Sequence, residues 1–354
     1  MKWTLFFLAC LKIVPVSATV RSVSNYPSTL AQFNTIQGAI DASSNGDSIY
    51  VHGSPNDYAG FSLINKKLVI LGPGFAPNVQ VTFVARVAIG SSTINGAQAK
   101  KSEIQGLVFI SDINITSPVP DSLRFIRNNI AGTLSIGTSA ATIRGFTFQG
   151  NFFSNRVNGL PTATFENFLF ENNIFRSNDY AILDFFNAVN VLFNHNLWFA
   201  NASTDQNIIY NTRQVLFTNN IFINRQFNAN APLTQCTFIN NLTFSCDINT
   251  PWTFNGNIDG GGNVANMDPQ MVDQAAVNNG TASYLSNFTI STGPANNSGS
   301  DGKDLGLLFD TTGSLNWTNS RNSRMPSMVS MNITNPVIGA GGTLNVTLEA
   351  RKND

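Results

Sequence analysis

An apolar residue, followed three places later by asparagine and then by a second apolar residue, is a pattern that returns through the middle of this chain. It falls at residues 124–130, 146–152, 168–174, 191–197, 215–221, 236–242 and 252–258. The asparagines it picks out, Asn129, Asn151, Asn173, Asn196, Asn220, Asn241 and Asn257, lie 22, 22, 23, 24, 21 and 16 residues apart. A period in the twenties is the signature of a solenoid, in which each repeat buries its apolar face only against its neighbours.

The interior of one period selects the kind of solenoid. Residues 181–183, 189–193 and 197–199 are apolar runs too short for helices, separated by the turn formers Asn, Asp, Ser and Gly. A leucine-rich repeat requires Leu at fixed offsets, whereas here Phe and Ile dominate. The chain is therefore expected to be all-β, a single-stranded parallel β-helix with three short strands per coil. Coils stacked about 4.8 Å apart place Ile126, Phe148, Phe170, Phe193, Phe217, Phe238 and Phe254 in one inward column. The asparagines form a second column at a tight bend, since Asn tolerates left-handed backbone and its amide can bond to the next coil. With 28 phenylalanines the chain can fill such a core. Charged residues are 11% and the formal net charge is zero, which argues against a nucleic-acid partner held by a basic surface.

The first 18 residues read as a signal peptide: Lys2, an apolar stretch interrupted by Lys12, then Val16-Ser17-Ala18 as a cleavage site. No later stretch approaches about 18 consecutive apolar residues, so no membrane span is expected, and the mature chain is expected to be secreted or held at the cell surface. Cleavage removes Cys10 and leaves Cys236 and Cys246, either bridged or as two buried thiols. No His or second Cys pair stands nearby, so neither a metal nor a cofactor is expected.

Residues 33–42 form the one good helical pattern, with Phe33, Ile36, Ala39 and Ile40 on one face. Gly46-Asp47 turns the chain into a strand at 48–51, and another ends at Gly72. An amphipathic helix here would cover the apolar end and open edge of the first coil. This segment, F-x-T-I-Q-x-A-I-D-A followed by G-D-x-I-x-V, resembles the amino-terminal cap of the pectin-lyase-like superfamily. Farther on, Asp268-Pro269-Gln270-Met271, Gly293-Pro294-Ala295 and Asp304-Leu305-Gly306 are similar to the carboxy-terminal region of secreted right-handed β-helix proteins of the choice-of-anchor Q group. Gly293 and Leu305 replace that group's usual Ser and Ile. The resemblance spans residues 30 to 310 and implies right-handed winding, an N-cap at about 30–72, a C-terminal cap region at about 259–310, and export. Residues 326–354 are expected to add a β-hairpin.

Function is less directly written. The superfamily's lyases use a basic residue to abstract a proton beside a uronate carboxyl, and no lysine lies between Lys101 and Lys303. Its hydrolases use close carboxylates, but no Asp-Asp pair or Gly-His-Gly occurs, and its esterase set is not recognisable. The strand preceding the Phe column bears the substrate groove in relatives, and around it stand Asp179, Tyr180, Asp184, Asp205, Tyr210 and Arg213. Carboxylates, aromatics and a guanidinium together suit a sugar, although turn aspartates and half-buried tyrosines are also ordinary solenoid residues. His195 is expected as a polar turn residue rather than a catalytic base. Arg127, Gln149, Glu171 and Asn194 are expected side by side as solvated decoration. Three readings stay open: a non-catalytic scaffold for polysaccharide binding, adhesion or display; a polysaccharide lyase or glycoside hydrolase; and a self-associating structural element.

Overall fold

The computed structural model describes residues 18–74, 88–137, 140–176, 180–200, 208–227, 233–309, 317, 326–333 and 346–352. Strands account for 36% and helices for 7%, and parallel sheets wind a β-solenoid of about 8 turns. Three sheets run the length of the stack. The long sheet extends from Val20–Val23 to Ile258–Asp259. The second runs from Ala88–Ile89 to Leu242–Phe244, and the third from Ser62–Ile64 to Ile209–Tyr210. Pairing in all three is parallel. The antiparallel pair is the hairpin Pro326–Ile333 with Val346–Lys352.

Within each strand alternate residues point in and out, so one side chain in two must suit the core. Phe125, Phe148, Phe170, Phe193, Phe217 and Phe238 stack inward, with successive ring centroids 5.4, 4.6, 4.3, 5.1 and 4.9 Å apart. A second inward stack of Phe153, Phe175, Trp198 and Phe222 faces it, at 4.9, 4.0 and 5.5 Å. Such offset pairs contribute about 0.5–1.5 kcal/mol each beyond area burial. Two members of the expected column are corrected. Phe125, not Ile126, pairs with Phe148, and Ile126 lies beside Gln149 on the opposite face of the strand. Phe254 follows the 3-10 turn Pro251–Thr253, and Asp259 is the residue paired with Phe238.

The asparagine column is a continuous hydrogen-bond ladder. In Asn128, Asn151, Asn173, Asn196, Asn220 and Asn241 the side-chain amide donates to Oδ1 of the next ladder Asn, ending on Asn263, at 2.9–3.1 Å. The same Oδ1 accepts the backbone N–H of the preceding rung, as in Asn173 N to Asn196 Oδ1 at 2.9 Å. Each amide also donates to a carbonyl one coil back, for example Asn196 Nδ2 to Phe170 O at 2.9 Å. The rungs are 23, 22, 23, 24, 21 and 22 residues apart. Asn129 and Asn257 are therefore not rungs. Asn129 lies one residue on, paired with Val108 and Phe152 in the second sheet. Asn257 accepts from Cys236 N and donates to Pro251 O at the end of the stack. The left-handed corner is not the ladder Asn but the residue before it: Arg127, Asn172, His195, Asn219 and Asn240 have φ of 51, 55, 53, 57 and 50°. Gly106, Gly150 and Gly262 fill the same place in other coils.

Helix Ile36–Ala42 closes one end of the core, with Thr35 Oγ1 accepting Gly38 N at 3.1 Å and Ile36, Ala39 and Ile40 buried. At the other end Trp252 lies 6.3 Å from Phe238. A second apolar cluster lies outside the solenoid. Phe152, Ile174, Leu197, Ile221 and Leu242 form the outward column of the second sheet, and Met271, Val277, Phe288, Leu305 and Leu307 bury it. The chain from 264 to 309 thus returns along the stack as a strap. Arg176 donates to Gly280 O and Asn224 to Asn278 O, tying it to separate coils.

Candidate functional site

The described residues of the expected site fall on and around the third sheet. Its inward residues, such as Leu134, Val157, Ile182 and Ile209, are buried. Its outward column runs Ser62, Thr93, Asn114, Ser135 and Asn158 by register, with Tyr210 two coils beyond Asn158. All six of these side chains are uncharged hydroxyls or amides. Strand Ile182–Leu183 pairs with Ile209–Tyr210, as the strand preceding the Phe column should. The ring of Tyr180 lies 4.8 Å from that of Tyr210, tilted by 54°. Two half-exposed tyrosines thus make a tilted aromatic pair near the end of a polar strip.

The charged candidates are engaged across coils. Asp184 has φ of 62° and makes the corner after its strand; Asn211, at φ 49°, makes the equivalent corner one coil on. Asn211 Nδ2 donates to Asp184 Oδ1 at 2.6 Å. Arg213 Nε donates to Gln235 Oε1 at 2.7 Å, and its guanidinium carbon lies 5.9 Å from the Phe186 ring centroid. Tyr180, Asp184, Tyr210 and Arg213 are therefore brought to neighbouring coils, whereas Asp179 and Asp205 lie outside the described residues. Asn211, Gln235 and Phe186 were missed from sequence. Their signal was position alone, each occupying the next coil's equivalent of a named residue or flanking it.

Gln149, Glu171 and Asn194 form a half-buried network rather than solvated decoration. Glu171 accepts from Gln149 at 3.2 Å and from Asn194 at 3.1 Å, and Thr218 Oγ1 donates to Asn194 Oδ1 at 2.7 Å. Ile126, not Arg127, occupies the next place in that column; Arg127 is the buried left-handed corner. His195 is such a corner too, buried and in contact with the strap. Cys236 and Cys246 are free and buried, and burial pushes both thiols up to about 12. Among the described residues no group of three His, Cys, Asp or Glu side chains is placed to hold a metal ion. No helix there is long and apolar enough to cross a membrane.

Compared with protein-family models and with curated proteins, the chain matches none.

Proposed function

We propose that this is a secreted or cell-surface β-helix of the pectin-lyase-like kind that binds a polysaccharide without cleaving it. The Tyr180–Tyr210 pair carries this reading. Paired aromatic faces stack on the apolar face of a sugar ring, and the hydroxyl and amide column leading from them supplies hydrogen bonds along the stack axis. Asp184 and Arg213 already serve neighbouring side chains, which favours holding the corner over proton transfer or pairing with a uronate. An uncharged glycan is accordingly the preferred ligand. The segment 1–18 supplies the export signal.

A glycan array combined with detection of new reducing ends tests both parts. Binding to a neutral glycan with no new ends is the expected result. New reducing ends that disappear in Asp184→Asn would make the protein a hydrolase or lyase instead. Silence across the array would remove the glycan reading altogether.

A further inference from the structure

The strap is fastened through the corner residues. From residue 298 to 308 it passes Asn240, Asn219, His195 and Asn172 in turn, four successive corners of the ladder bend. Asn240 Nδ2 donates to Ser298 O at 2.9 Å, and Asn219 Oδ1 accepts Ser300 N at 2.8 Å. Gly306 N donates to Asn219 O at 2.8 Å, and Leu308 N to Asn172 Oδ1 at 2.7 Å. Three of these four corners are asparagines. The fourth is His195, 1% exposed, with Nδ1 3.2 Å from Gly306 O and Nε2 3.2 Å from Asp301 Oδ2.

Both partners of the ring are acceptors. A peptide carbonyl has no proton to give, and a carboxylate accepts only. A neutral imidazole carries one N–H, so it satisfies one partner and turns a lone pair toward the other. The imidazolium donates to both. We propose that His195 is a proton-operated latch: the doubly protonated ring clasps the strap to the solenoid, and loss of one proton loosens it.

The surrounding charges agree with this. Asp301 faces the ring from the strap. Burial acts to raise its carboxyl, but the Lys303 amide, the charge of His195 and hydrogen bonds outweigh that and hold it below its usual value. On the solenoid side the flanking corners, Asn172 and Asn219, are uncharged. Glu171, on the neighbouring coil, is taken up by Gln149 and Asn194. Farther along the strap, Asp304 accepts Asn297 N, and the Lys303 amide bonds to Asp301 Oδ1. The sign follows. A bond made only by the protonated ring is present in acid and is lost as pH rises.

Hydrogen exchange of the strap amides tests the latch on the full chain, with rates referred to the intrinsic rate at each pH. Between about pH 5.5 and about pH 8.5, protection of residues 298–308 should fall by about tenfold or more, the worth of one charge-assisted bond. His195→Asn supplies the side chain that three sister corners already carry, so its fold is retained and its strap protection should not change with pH. Equal pH profiles for the parent and His195→Asn, whether both flat or both steep, would overturn the latch. Protection that rises with pH in the parent would overturn it as well.

Discussion

At the scale of the residue, one asparagine per coil does what a backbone cannot. Each ladder amide from Asn151 to Asn241 meets two donors and a carbonyl from neighbouring coils while fully buried, so a single truncation strands several groups at once. Asn196→Ala leaves Asn173 N, Asn173 Nδ2 and Phe170 O without their partner. It should cost about 1–3 kcal/mol for the stranded groups, read as a lower denaturation midpoint at unchanged slope. The cysteines give a second test. With both thiols up at about 12 against an ordinary value of 9.0, the fold disfavours thiolate. Their protonated form costs the fold nothing below pH 9.0, and stability should fall progressively as pH rises from there toward about 12. Native protein should resist alkylation at mildly alkaline pH, and Cys236 and Cys246 should both label once it is unfolded without reductant. The ladder itself was legible in sequence from Asn151 to Asn241. It slipped at both ends for local reasons. Asn128 and Asn129 are adjacent and chemically identical, and Ile126 mimicked the inward Phe. At the far end the true rung, Asn263, follows glycines instead of an aromatic residue, while Phe254 and Asn257 imitated the pattern inside a turn. The spacing of 16 residues was the visible sign of that error.

At the scale of the element, the strap is the feature that sequence periodicity could not show. It has no repeat of its own. Its apolar residues are scattered through turns, and what they pack against is the outside of a sheet that looks, coil by coil, like any other. The outward column Phe152, Ile174, Leu197, Ile221 does carry a signal in retrospect, because an exposed sheet face would alternate with polar residues there. Gly306 marks a close approach: its φ is 73°, and a Cβ would sit 2.8 Å from Ile221 Cδ1. Gly306→Ala combines left-handed strain with that clash and should destabilise by about 1–3 kcal/mol. Limited proteolysis checks where: new cleavage should fall within 264–309, with the coils left intact. The amino-terminal cap, by contrast, was legible, because its helix has a Thr cap and an apolar face at helical spacing.

At the scale of the whole molecule, stability passes from coil to coil through the aromatic stacks. Phe170 touches Phe148 on one side and Phe193 on the other, at 4.6 and 4.3 Å. Phe170→Ala should therefore cost about 3–5 kcal/mol, and calorimetry should show a lowered or split transition as the stack is interrupted in mid-length. The same architecture leaves different jobs to different faces. The second sheet is covered by the chain's own strap, the long sheet carries a half-buried amide network, and the third displays hydroxyls, amides and two tyrosines. That the strand preceding the Phe column runs through Ile182–Leu183 and Ile209–Tyr210 was legible from sequence. How its flanking residues are engaged was not, because the partners of Asp184 and Arg213 sit one coil away, where only three-dimensional register places them.

The most direct test of this account is titration calorimetry of a neutral oligosaccharide selected on the array, comparing the parent with Tyr210→Ala at low and high salt. Binding by the parent that changes little with salt, and is weakened about tenfold or more by Tyr210→Ala through loss of the stacking face, is the predicted result. Unchanged affinity in Tyr210→Ala, or a preference for uronate polymers that collapses in salt, would contradict it.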